Sequence, residues 1–206
     1  MKYKVIKSKR KSICLSLNEK GEPIVKAPIK VSDKVIEDFV LSKQKWLEKQ
    51  LKAHAKIDDF SSKFDFKNKI YLLGQELKLE EVDMSLLALQ ENKLERKLSS
   101  LYLEYAHKIL PQMVKEVLAE HNLRCASLKV SSSHRIWGSF DRNLNMKLNW
   151  KLVHLPKPLI NYVIIHELCH GLQLNHSPKF WQQVSIRCPE YKQLKKQLEM
   201  YSFLLK

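Results

Sequence analysis

The stretch Val163-Ile164-Ile165-His166-Glu167-Leu168-Cys169-His170-Gly171-Leu172 decides how this 206-residue chain is read. On an α-helix, residues four apart lie on one face, so His166 and His170 present two imidazoles one turn apart. That spacing lets both hold one Zn²⁺, with Glu167 placed to reach a water beside it. Pro158 suits the first turn of such a helix. Leu159, Ile160, Val163, Ile164, Leu168 and Leu172 supply an apolar set on the opposite side.

Chance produces one His-Glu-x-x-His in a chain of this composition only about 2% of the time. A further histidine six residues after the second lowers that to about one in a thousand. His176 stands there, in Leu174-Asn175-His176-Ser177-Pro178. Asn175 is a good helix-ending residue and Ser177-Pro178 a good helix start, so the spacing predicts His176 on a turn that folds back toward the metal. A plain loop or capping histidine is the alternative. Structural zinc is usually closed by four Cys or His ligands. Three histidines and a glutamate leave a fourth position open, which is the catalytic pattern. Cys169 lies off the ligand face and is read as packing.

Outward from this helix, Ser127–Ser131, Ile136–Ser139 and Leu144–Leu148 read as strands. Pro156 and Pro158 precede the active helix, and a second helical segment restarts at Ser177-Pro178. A long helical pattern runs from Leu86 to about Leu123, with Pro111 expected to kink or split it. Ile70–Leu73, the Gly74 turn and Glu76–Leu79 form a short β unit. At the start of the chain, Ile13–Leu17 alternates with period two, the loop 18–22 follows, and Ile24–Ala27 completes a hairpin. Ser32 is a candidate N-cap for a helix to about Ala53, burying Ile36, Phe39, Val40, Leu47 and Leu51. Residues 54–66 read as a polar linker.

Hydrophobic residues are 44% and charged residues 29%, the balance of a folded globule rather than a disordered chain. The net charge of +15 is unusual. Residues 1–30 carry nine basic and two acidic groups, residues 31–120 fifteen and sixteen, and residues 121–206 thirteen and four. The positive field therefore belongs to the two ends. It favours anionic partners such as nucleotides or nucleic acid. Only six of the cations are Arg, so Lys point charges dominate over bidentate forks. The four cysteines form no CxxC pair, no apolar run follows the basic start, and no stretch of about 18 apolar residues exists. The expectation is a cytoplasmic protein with reduced thiols and no membrane span.

His166-Glu167-Leu168-Cys169-His170, then Asn175-His176-Ser177 and Phe180-Trp181, resemble the YgjP-like metallopeptidase family, relatives of the SprT and WLM groups of zincin proteases. Trp137-Gly138-Ser139, the Leu148-Asn149 to Pro156 stretch and Tyr162-Val163 fit the same pattern. So do Arg10-Lys11, Val25-Lys26-Ala27-Pro28, Phe39-Val40 and Lys45-Trp46 near the N-terminus. The chain departs from it at Ile136-Trp137-Gly138-Ser139-Phe140, where the family usually shows Arg-Trp-Gly-Ser-Cys; Arg135 is displaced by one residue. Gln173 stands where metzincins have glycine.

The resemblance implies an α+β fold. Residues 81–206 would form a zincin-like core with the His-Glu-x-x-His helix beside a small sheet, and residues 1–80 a β-rich N-terminal region with one helix. It also implies Zn²⁺ and hydrolase chemistry. The expected ligands are His166, His170 and His176, with Glu167 as general base. An oxyanion stabiliser is sought among His134, Arg135, Tyr162 and Tyr191. Arg135, Trp137, Gly138 and Ser139 are candidates for substrate contact, the last three as a strand on which an extended peptide could add. Phe180 and Trp181 are read as core that holds the His176 turn. The expected substrate is a peptide or an unfolded protein. The alternatives are an anionic small molecule such as a nucleoside triphosphate, or a basic nucleic-acid-associated module with structural zinc.

Overall fold

Three short strands open the chain: β1 (Lys4–Ser8), β2 (Cys14–Leu17) and β3 (Pro23–Pro28). They form one sheet in the order β1-β3-β2, with β3 parallel to β1 and antiparallel to β2. In this computed structural model, residues 2–18, 20–82 and 90–205 are described. The β2–β3 hairpin is the one the alternation predicts. Asn18 Oδ1 accepts from the amides of Lys20 (3.0 Å) and Glu22 (2.8 Å), closing the loop. Strand β1 was not anticipated: its residues are all exposed, so no alternation marks it.

Two helices follow, α1 (Asp33–Ser42) and α2 (Gln44–Ser61), in place of the single helix ending near Ala53. The break is at Lys43, whose amide turns to Val40 O at 3.0 Å while Ser42 Oγ donates to Phe39 O at 2.7 Å. That tighter i→i−3 pattern ends a helix. The expected linker 54–66 is helical as far as Ser61. Ile57 and Phe60 are half-buried there, and His54 Nδ1 meets Asp58 Oδ2 at 2.7 Å one turn on. Leu15, Val25 and Ala27 from the sheet pack with Ile36, Val40 and Leu47 from the helices as a separate core.

Two compact units result, Met1–Ser62 and Lys63–Lys206. The sequence reading puts the boundary at 80/81. The residues between carry the hairpin β4 (Lys69–Leu72) and β5 (Gln75–Lys78), which packs with the second unit. Ile70 is buried in its core, and Leu73 N donates to Val153 O at 2.7 Å. Leu73 and Gly74, with φ of 52° and 79°, make the two-residue turn. Any Cβ on Gly74 would fall 2.7 Å from Pro156 Cγ.

A short helix α3 (Leu79–Val82) precedes α4 (Glu91–His121). The expected start at Leu86 lies outside the described residues. Pro111 neither ends nor splits α4. One lost backbone hydrogen bond is outweighed by the burial of Ala106, Leu110, Met113, Val114 and Val117 around it. Asn122, left-handed at φ 48°, closes the helix.

The second three-stranded sheet contains β6 (Ser127–Ser131), β7 (Gly138–Phe140) and β8 (Asn145–Asn149). Its order is β6-β8-β7, with β8 parallel to β6 and antiparallel to β7. A 3-10 turn, Trp150–His154, leads to α5 (Lys157–Cys169). Then come α6 (Pro178–Arg187), α7 (Tyr191–Met200) and a closing 3-10 turn, Tyr201–Leu205. Met146, Leu148, Leu152, Ile160, Ile164 and Phe180 are fully buried at the centre. The fold is α+β with small sheets. Among the described residues, no helix is long and apolar enough to cross a membrane.

Candidate metal centre

Helix α5 is buried on almost every side, from Leu159 through Cys169. His166 and His170 are half-buried on the remaining face, while Glu167 is 8% exposed. Helix α6 begins two residues after His176, with Ser177 as its N-cap. Ser177 Oγ accepts from Phe180 N at 3.4 Å and Pro178 occupies the first turn, which returns the chain toward α5. One ligand atom from each of His166, His170 and His176 lies within 4.8 Å of the others. The Nε2 atoms of His166 and His176 are 3.1 Å apart. Tetrahedral ligands at metal–nitrogen distances of about 2.0–2.1 Å sit roughly 3.3–3.4 Å from each other, so the three imidazoles fit a metal ion.

The protonation of His166 and His170 favours ligation. Burial, reinforced by the neighbouring imidazoles and Lys195, pushes His166 down to about 3. Burial lowers His170 as well. His170 Nδ1 donates to Gln173 O at 3.2 Å, which leaves the Nε2 lone pair free. His166 Nδ1 is buried without a hydrogen-bond partner among the described residues. Rings brace the triad. Phe180 stacks on His170 at 4.6 Å, and Trp181 lies between His176 (5.6 Å) and Tyr191 (5.4 Å). Phe180 is wholly buried, and neither residue lines the cleft, in keeping with their reading as core. Cys169 is buried too, its thiol raised to about 11 by burial.

Glu167 sits beside the triad with its carboxyl raised to about 7 by burial. Strand β7 lies directly against it. A Cβ on Gly138 would fall 2.8 Å from Glu167 Cγ and 3.1 Å from Oε1, so only glycine allows this approach. The loop before β7 is stapled by Asn149, which is fully buried. Its Nδ2 donates to Ser133 O (2.6 Å) and Ile136 O (3.0 Å), and its own amide donates to Trp137 O at 2.8 Å.

A cleft of about 650 Å³ opens over the triad. Arg135, Trp137, Gly138 and Ser139, the candidates for substrate contact, all line it. Of the four oxyanion candidates, Arg135 and Tyr162 face the cleft, whereas His134 and Tyr191 are absent from its lining. Phe140, where the family usually has cysteine, also lines it and packs on Gly171. Lys195, Leu198 and Glu199 of α7, with Ser202, complete the wall. Sequence reasoning missed this side. Its one visible signal is a cation and a carboxylate four residues apart on α7, a pattern shared by most surface helices.

The YgjP-like metallopeptidase domain matches residues 11–201, nearly the full length. The chain belongs to the YgjP-like family. The match takes in both sheets' central strands and the whole triad. As a metallopeptidase-class domain it is a metal-dependent hydrolase, and the three imidazoles are the donor set available for the metal. No curated protein and no solved structure matches the chain.

Proposed function

We propose that the chain is a zinc-dependent peptidase of zincin type, with His166, His170 and His176 as metal ligands and Glu167 as general base. The observation that carries this reading is the convergence of three imidazoles beside one buried carboxyl, at the floor of an open cleft. Three nitrogen ligands suit zinc, and a set of three leaves room for a reacting group. When bound there, zinc supplies Lewis-acid polarisation of a carbonyl and lowers the pKa of water to about 7.

Glu167 takes a proton on its carboxylate and delivers it to the leaving amine nitrogen. A carboxyl raised to about 7 is matched to both transfers near neutral pH. Gly138 holds Glu167 against the β7 backbone, and Asn149 holds the loop that positions β7. Among the described residues β7 pairs with β8 on one side only, which leaves its other edge for an extended peptide. Of the four oxyanion candidates, Arg135 and Tyr162 line the cleft and can donate to a developing oxyanion.

A second reading, hydrolysis of an anionic small molecule such as a nucleoside triphosphate, is favoured by one observation: Arg135 and Lys195 both bring cations to the cleft. Structural zinc in a nucleic-acid module fits less well, because that role usually needs a fourth protein ligand. The deciding experiment gives zinc-loaded protein an unfolded-protein panel and a nucleoside triphosphate panel. New polypeptide termini are the expected result. Phosphate release with polypeptides left intact would transfer the assignment to the second reading.

A further inference from the structure

Helix α2 has a second face that the metal centre does not explain. Its buried side is formed by Leu47, with Leu51, His54 and Ile57 half-buried beside it. On the opposite side stand Lys45, Lys49, Lys52 and Lys56, all exposed. At 100° per residue these four fall within an arc of about 60° and extend along about 16 Å of the axis. A shallow groove runs among them, lined also by Glu48 and Ala53. Glu48 accepts from Gln44 Nε2 at 3.1 Å instead of pairing with a lysine. None of the four lysines forms an ion pair among the described residues. Like charges three and four residues apart work against a helix, so the row is unfavourable until an anion neutralises it.

We propose that this lysine row is a docking surface for the phosphate backbone of double-stranded nucleic acid. A single strand of a duplex carries one charge per about 3.4 Å, so the row faces about five phosphates. Lysine is a point charge that recognises phosphate without reading bases. No aromatic residue lies within the arc; Phe60, half-buried, and Trp46 stand about 60° and 100° round the helix from Lys45. Single strands need stacking platforms, so a duplex fits better. An anionic membrane fits less well, because the apolar side that would enter it is used internally, with Leu47 fully buried. The proposal is independent of the reaction assigned to the metal centre.

The test is fluorescence anisotropy of the full chain with a short labelled DNA duplex, between about 50 and 200 mM salt. Each neutralised phosphate contributes about 0.9 to the slope of log K against log salt. Changing Lys45, Lys49, Lys52 and Lys56 together to Gln should make that slope shallower by about 3 to 4. Changing the same four to Arg should preserve it. A control with Lys93, Lys97, Lys108 and Lys115 changed to Gln removes equal charge from exposed positions of α4 and should alter it by less than about 1. A control that flattens the slope as much as the α2 set would overturn the proposal. So would wild-type protein that binds phosphatidylserine vesicles but no duplex, or that binds neither.

Discussion

The two three-stranded sheets have the same wiring. In each, the third strand is central, parallel to the first and antiparallel to the second. The N-terminal sheet closes an apolar core made with α1 and α2, whose buried members among the described residues are all aliphatic. The C-terminal sheet presses its short edge strand β7 onto α5, with a glycine set against a buried glutamate. The wiring is therefore not the source of chemistry. What differs is the helix that meets the sheet and the missing side chain at the meeting point.

The largest break in this comparison comes from the helix side. Replacing His170 with Ala should drop metal occupancy well below that of the wild type and bring hydrolysis to background, checked by metal analysis and turnover on one sample. Next is a pH effect confined to the second unit. His154, which follows β8, is 5% exposed and lowered to about 4, chiefly by burial. The unfolded chain therefore takes up a proton at about 6.5 while the folded one resists until about 4. This contribution is complete above pH 6.5 and is lost as pH falls toward 4. About 2 kcal/mol should disappear by pH 5, and about 3 kcal/mol by pH 4. Denaturant unfolding of wild type and His154→Leu across that range should show a slope steeper in the wild type by this amount, the part left in the variant coming from other depressed imidazoles such as His166.

Smaller effects sharpen the comparison at the strands themselves. Gly138→Ala should lower kcat/KM about ten- to a hundredfold, some 1.4–2.7 kcal/mol, with the fold intact, because the new methyl displaces Glu167. Cys14 opens β2 as Gly138 opens β7, and is exposed. Cys14→Ala should leave activity unchanged and stability within about 0.5 kcal/mol. Equal losses at the two positions would mean that the sheets differ less than their surroundings suggest.

Much of this was legible in the sequence where the signal was local. The β2–β3 hairpin, the β4–β5 turn at Gly74 and the Ser177-Pro178 helix start each follow from neighbouring residues. The His-Glu-x-x-His spacing and His176 also identify the residues that the fold brings together. What escaped depends on distant partners. β1 pairs with β3 across some twenty residues and buries nothing. The polar run 54–61 is helical because two half-buried residues and a His54–Asp58 pair suffice. The role of Asn149 shows only once Ser133 and Ile136 are beside it. The wall contributed by α7 depends on how helices cross, which no pattern within α7 records.

The central claim is that Glu167 moves a proton while the three histidines hold the metal, two tasks assigned to separate residues. Its most direct test is Glu167→Gln, measured for metal content and for hydrolysis on the same preparation. The account predicts unchanged metal per chain and hydrolysis reduced by about 10²–10⁴-fold. Hydrolysis retained at the wild-type level, with the metal still in place, would contradict it.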